Sequence, residues 1–362
     1  MVGQVSAAAF AAEGLSELSN ETVESNERAV ALFERASDVD PSFAPAHSGL
    51  AKAYVQRYDL RLGRSWLDQA VTAGQRAVEL DPSLGDAYRA LGRAYRMKGR
   101  LRDELLLWQR RAQLDPNDAD ALERCGWVLW FTGRAEESLP WLHAAIAQRP
   151  DSEWAHFYLG NANLALGNYG EAEPSYGREL ELHPDHSSAQ SGVIWSLLAA
   201  GKDDEARAQL RRFQTSSMDG DRYPLKVADI EYFLGDDQNA AVHAREALAE
   251  PEERYWPRGF LASTILGALL WPHDRSGAEE QLKNSEQIDQ ERLGGGDEGY
   301  MAHIDLAAVN AIRGEVPRAR DSLRAAIAAG WRFRSLAARD RLFENLRYDD
   351  GFKSLLTVRY PI

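Results

Sequence analysis

The sequence predicts an all-α fold built as an array of helical repeats, and three observations carry that prediction. Gly99, Gly133, Gly167, Gly201 and Gly235 follow one another at intervals of 34 residues. Pro82, Pro116, Pro150 and Pro184 keep the same interval. Between these markers apolar and small residues recur at helical spacing, as in Tyr88, Leu91, Gly92 and Tyr95. Two interleaved series at one fixed period are the signature of stacked supersecondary units. A chain of 362 residues, 44% of them hydrophobic, can fold this way without a single large core.

Taken in order, residues 1–26 are expected to form an N-terminal capping helix. The Ala-rich run from Ala7 to Ala12 lacks the basic flank and long apolar stretch of a secretory leader, so cytoplasm is the expected location. Residues 27–235 hold the well-matched repeats. In the unit from Gly85 to Asp118 a first helix ends at Gly99, which is free to take positive φ. A second helix carries Leu105, Trp108 and Ala112 and stops at Asp115-Pro116, because the residue before proline disfavours helix. Small residues after the leucine (Ala51, Gly92, Gly126, Gly160) and alanines in the second helix (Ala29, Ala70, Ala172, Ala206, Ala240) let paired helices approach closely. One unit is seven residues too long, which places an insertion between Tyr58 and Trp66. Residues 236–330 carry a slipped register, with a weaker unit from Tyr255 to Leu293 and a recovery over Tyr300 to Ala329. Residues 331–362 supply a C-terminal cap, two short amphipathic helices whose Phe343, Leu346, Phe352 and Leu356 cover an otherwise exposed end.

These residues resemble the 34-residue pattern of the tetratricopeptide repeat, from about Ala29 to Ala326. The resemblance implies a right-handed superhelical solenoid of eight to nine hairpins, open along a concave groove, with contacts largely between neighbouring hairpins. The Leu-Asp-Pro-Ser boundaries, the long second repeat and the C-terminal segment also resemble the repeat regions of bacterial multidomain regulators. Those join such arrays to winged-helix, cyclase or kinase domains, and the resemblance implies a signalling or adaptor role.

The chemistry-bearing residues are sparse. No nucleophile elbow, zincin helix, phosphate loop or paired-cysteine motif is present, so no enzyme and no cofactor are expected. His183 and His186 flank Pro184-Asp185, which gives a low-ranking metal-site reading against a solvated repeat turn. Cys125 is the single cysteine; it excludes an intramolecular disulfide and is expected to be inert and buried. The formal balance of 42 basic against 56 acidic residues leaves −14, which disfavours general nucleic-acid or anionic-membrane binding. No run approaches the roughly 18 apolar residues of a membrane span.

In the family, the first helix of each hairpin lines the groove, and its groove positions carry over to this chain residue by residue. They fall on Lys52, then Arg89, Arg93 and Arg96, then Glu123, Trp127, Trp130 and Phe131. Trp154, Phe157 and Asn161 follow, then Trp195 and Tyr232. The groove is therefore expected to be basic at its N-terminal end and aromatic through its middle. Trp and Phe at helical spacing serve a core as readily as a ligand site, and both readings stay open. The family's carboxylate clamp is disfavoured, because Ser48 and Lys52 are followed by Ala90 without its basic pair. The expected function is a non-enzymatic protein-interaction scaffold that binds a peptide or partner helix, one with an acidic end and an aromatic or apolar end. The alternative is a sensing module that stacks a small molecule or sugar on the tryptophans.

Overall fold

The computed structural model describes residues 6–215, 223–249 and 258–357. The start of the weaker unit, at Tyr255, lies outside the described residues. Helices pair in series as antiparallel hairpins: α1 (Ala7–Leu18) with α2 (Val23–Val39), α3 (Ala44–Asp59) with α4 (Trp66–Leu80), and α5 (Gly85–Met97) with α6 (Leu101–Leu114). Next come α7 (Ala119–Phe131) with α8 (Ala135–Gln148), α9 (Ala155–Leu166) with α10 (Tyr169–Leu182), and α11 (Ser187–Ala199) with α12 (Asp203–Thr215). The series closes with α13 (Tyr223–Leu234) and α14 (Asp237–Ala247), α15 (Ala262–Leu270) and α16 (Arg275–Gly294), and α17 (Met301–Arg313) and α18 (Val316–Ala328). A terminal segment adds α19 (Arg334–Arg339), a 3-10 turn η1 (Arg341–Leu346) and α20 (Asp350–Thr357). No strand occurs among the described residues.

The 34-residue clock has a backbone cause. Gly99, Gly133, Gly167, Gly201 and Gly235 all take φ between 75° and 83°, the left-handed conformation that ends the first helix of each hairpin. The next amide then reaches back along the helix: Arg100 N to Tyr95 O at 2.9 Å, Arg134 N to Leu129 O at 2.8 Å, Lys202 N to Leu197 O at 2.9 Å. Between hairpins, Asp40 and Asp81 accept the amides of Ser42 and Ser83 at 2.9 and 2.8 Å, which reverses the chain before the next helix. Those serine hydrogen bonds hold both aspartate carboxyls below their ordinary range. The five predicted small alanines, Ala29, Ala70, Ala172, Ala206 and Ala240, are all fully buried. The insertion is a loop between α3 and α4, where Arg61 and Gly63 take positive φ.

The chain divides into two compact units, Met1–Cys125 and Gly126–Ile362. In unit 1 a core gathers Phe33, Ala29, Ala36, Leu50, Ala51 and Phe10. In unit 2 one continuous core runs from Trp130 to Phe352.

Unit 2 departs from the expectation of an open groove with contacts largely between neighbouring hairpins. The Phe131 and Tyr300 rings, at the end of α7 and the start of α17, lie 5.6 Å apart. Gly330 passes so close to the turn after α7 that a Cβ on it would sit 2.3 Å from the Thr132 carbonyl carbon. From there the terminal segment crosses one interhelical turn after another. Tyr169 and Ser335 hydroxyls meet at 2.7 Å. Arg339 grips both Asp203 carboxylate oxygens at 2.6 Å and donates to the Leu198 carbonyl. Arg341 donates to Tyr232 O at 3.0 Å and pairs with Asp237. Asn345 donates to Ala311 O at 2.9 Å. The terminal segment is thus more than an end cap: it is a strap across the inner rim of unit 2. Trp331, Phe333, Leu336, Leu342, Phe343 and Leu346, all buried, anchor it.

Candidate functional site

In unit 1 the inner helices α3 and α5, the beginning of α7 and the α1–α2 turn surround a cleft of about 650 Å³. Helix geometry places its cations: Arg89, Arg93 and Arg96 stand four and three residues apart, on one face of α5. Lys52 from α3 and Arg124 from α7 complete a set of five. Leu18, Val55, Leu60, Ala90 and Trp108 give the cleft an apolar wall, and Glu21 and Asp59 supply the acidic residues of its lining.

The cations do not present bare charge. Arg93 Nη2 donates to Asp59 Oδ2 at 2.7 Å, and Lys52 Nζ donates to Asp86 Oδ2 at 3.0 Å. Arg89 bridges Asp86 at 2.5 Å and Asp120 at 2.6 Å. Burial pushes the Asp86 carboxyl up, but Arg89 and Lys52 together outweigh it and hold the group below its ordinary range. Arg96 approaches Glu104 Oε1 at 3.9 Å, and Arg124 approaches Glu123 at 3.8 Å. The lysine and three α5 arginines expected in the groove are therefore together and solvent-reachable, each against a carboxylate. Glu123 is buried beside Arg124 and does not line the cleft.

Glu104 was not legible as a site residue. It is completely buried, accepts the Trp108 indole N–H at 3.4 Å, and sits behind Arg96. Burial raises its carboxyl above the ordinary glutamate value, with Arg96 and Arg124 pulling the other way. Arg124 was missed for a simpler reason: it falls outside the groove positions carried over from the family.

The aromatic set lies in unit 2, and of the two readings left open its environment favours the core. Trp130, Phe157, Trp195, Tyr232 and Asn161 are buried. Trp127, Phe131 and Trp154 are half-buried against the same core. Trp127 stacks on Phe131 at 5.3 Å, and Trp130 meets Phe131 edge-on at 5.7 Å. Trp154 and Phe157 enclose the His186 ring at 4.7 and 4.8 Å. Asn161 accepts the buried Tyr176 hydroxyl at 2.8 Å. Arg341 of the strap lies 4.7 Å over the Tyr232 ring. The physical reason is that large apolar rings on an inner face gain more from a permanent cover than from water, and the chain supplies that cover itself.

Trp195 has the most unusual surroundings. The Arg258 guanidinium lies 4.9 Å from its ring, 5.1 Å from Phe233 and 4.8 Å from Phe260. Arg258 is almost completely buried and pairs with Asp229 at 3.1 Å and with Asp340 of the strap at 2.7 Å. Burial holds the Asp340 carboxyl above its ordinary value, against the pull of Arg258. This caged arginine ties α11 and α13 to the strap. Nothing in the repeat pattern marks it.

The remaining sequence candidates are structural. His186 Nδ1 sits 2.8 Å from buried Glu179. Among the described residues no group of three or more His, Cys, Asp or Glu side chains is placed to hold a metal ion. Cys125 is fully buried, and burial pushes its thiol up to about 12. No helix among the described residues is long and apolar enough to cross a membrane.

Comparisons with known proteins agree with this architecture. No curated protein sequence matches the chain significantly. The crystal structure of TTC0263, a thermophilic TPR protein of Thermus thermophilus, is 23% identical, with 52% of this chain and all of that one covered at a TM-score of 0.41. YrrB, described as a TPR protein with an unusual peptide-binding site, is 20% identical over 59% of this chain and 97% of that one, with a TM-score of 0.40. An IFIT1 monomeric mutant solved with Gppp-AAAA is 14% identical and reaches a TM-score of 0.53 over 89% of this chain and 71% of that one, a likeness of fold. A tetratricopeptide-repeat family model matches residues 57–120, 124–181 and 157–221. Over those residues, with hairpins, left-handed glycine turns and buried small alanines, the chain carries tetratricopeptide repeats.

Proposed function

We propose that the chain is a protein-interaction scaffold and that the unit 1 cleft receives a partner segment rich in carboxylates, with an apolar side chain against Val55 and Leu60. The observation that carries this reading is the gathering of Lys52, Arg89, Arg93, Arg96 and Arg124 around one cleft in a chain of net charge −14. With five cations against Glu21 and Asp59 in its lining, the cleft is more basic than the acidic chain around it, and that contrast steers acidic segments toward it. The apolar wall gives the segment something to bury once charge has brought it in. The aromatic face of unit 2 is given no part in this function, because Trp130, Phe157, Trp195 and Tyr232 are buried.

The test is fluorescence anisotropy on the full chain with labelled peptides of equal length, either acidic, neutral or basic, each with one leucine. Acidic peptides should bind best, and Arg89→Ala should weaken them while the neutral and basic peptides stay unaffected. Equal binding of all three, or acidic binding indifferent to Arg89→Ala, would contradict the assignment.

A further inference from the structure

Resting on the reading of the unit 1 cleft as a site for acidic segments, the geometry points to a control built into it. We infer that Asp59, Asp86 and Asp120 act as internal competitors for the cleft arginines, so that only segments presenting two or more carboxylates about one helical turn apart displace them.

Asp59 is the residue that argues this most directly. It is the last residue of α3, where the negative end of the helix dipole opposes a carboxylate. Its carboxylate nevertheless stands 2.7 Å from Arg93, one repeat further along the chain. Lys52 and Asp86 are related by the same 34 residues. Opposite charges in one repeat column, bonded from hairpin to hairpin, occupy the arginines with carboxylates already.

These pairs are poised for exchange because they are only half withdrawn from water. The Arg93 side chain is 55% exposed and the Asp59 side chain 36%. Exposed pairs of this kind contribute little to stability, so replacing an internal carboxylate with a partner's costs little. A single incoming carboxylate exchanges like for like and still loses translational freedom, so it gains nothing. A second carboxylate on the same segment enters at high effective concentration and makes binding favourable. Arg89 and Arg93 are four residues apart on α5, about 6 Å along the axis, which fits side chains one helical turn apart. The cleft edge is also shaped by strain: Glu21 lines it, Arg61 adjoins its Leu60, and these are the non-glycine residues with positive φ among those described.

The experiment titrates the full chain with two synthetic peptides that differ only in carrying one glutamate or two glutamates four residues apart. Wild type is compared with Asp59→Asn, which removes the competitor while keeping its shape. The charge-matched control is Asp68→Asn, from the Asp68–Lys98 pair outside the cleft lining. We expect the two-glutamate peptide to bind wild type, and Asp59→Asn to tighten it by about two- to fivefold, the worth of one exposed pair. The one-glutamate peptide should become measurable only with Asp59→Asn, and the gain should fade at high salt. If Asp59→Asn binds no better than Asp68→Asn, the internal competitor is wrong while the acidic-segment reading stands. If neither peptide binds any of the three chains, both fall.

Discussion

Asp59 and Arg93 occupy one column of the repeat in unit 1, and Trp127, Asn161, Trp195 and Asp229 occupy the same column in unit 2, each 34 residues from the last. In the first unit the column is charged and reachable from water, paired across hairpins at 2.7 Å. In the second, Asn161, Trp195 and Asp229 are fully buried, and Trp195 lies against the caged Arg258. The backbone setting is alike in both: inner helices ending in a left-handed residue, Arg61 after α3 and a glycine after α5, α9, α11 and α13. What differs is the cover. In unit 2 Trp195 and Asp229 pack against Arg258, which Asp340 of the strap holds, whereas the unit 1 column lines a cleft. A repeat position therefore fixes where a side chain points, and the rest of the chain decides whether that direction leads to solvent or to packing.

The largest effect that bears on this contrast should come from Arg258. Arg258→Ala leaves Asp229 and Asp340 buried without their shared cation, and unpairing buried charges costs about 3–5 kcal/mol. Urea unfolding followed by circular dichroism measures it. A loss below about 1 kcal/mol would mean that the apolar anchors, with Arg339, Arg341 and Asn345, hold the strap without Arg258.

Gly330→Ala probes the closest approach of strap and rim. Gly330 has φ of +109°, and its new Cβ would meet backbone atoms of Thr132 and Gly133 that have no rotamer to escape into. A destabilisation of about 1–3 kcal/mol is expected from the dihedral strain alone. An unchanged melting temperature would show that the strap can lift from this turn without consequence for unit 2.

A smaller, pH-dependent effect is expected in unit 1. Burial raises the Glu104 carboxyl above its unfolded value, so the folded chain favours the protonated form. The resulting stabilisation is full below the ordinary glutamate value and is lost as pH rises through the raised one. Glu104→Gln keeps an acceptor for Trp108 and removes the titration. Its stability relative to wild type should therefore grow as pH rises above the ordinary glutamate value. A stability difference that stays flat as pH rises would mean that Arg96 and Arg124 fully offset the burial.

The hairpins were legible in the sequence because their causes are local. A glycine that must take positive φ, an aspartate that turns the chain before proline, and an alanine at a helix crossing each leave a mark on the 34-residue clock. The grouping of Lys52, Arg89, Arg93 and Arg96 was implied by the family's groove positions, and helix periodicity sets the three arginines on one face of α5. Their neutralising partners were less legible, although Asp59 with Arg93 and Lys52 with Asp86 could have been found by comparing charges down one column. The burial of Trp130 and Trp195 was not legible. Trp195 packs against Arg258, which Asp340 holds from far along the chain, and helical spacing is the same for a groove aromatic and a core aromatic. Arg258 left no pattern at all, because a buried cation is defined by its surroundings.

The most direct test compares Arg93→Ala with Trp195→Ala, one column position in two settings. Each full-length variant is melted and then titrated, as folded protein, with the two-glutamate peptide. The account predicts that Arg93→Ala changes stability by no more than about 1 kcal/mol and weakens binding with a reduced salt dependence. It predicts that Trp195→Ala lowers stability by about 3–5 kcal/mol and leaves peptide affinity of the folded chain unchanged. The reverse result, with Trp195→Ala weakening the peptide at an unaltered melting temperature, would contradict it.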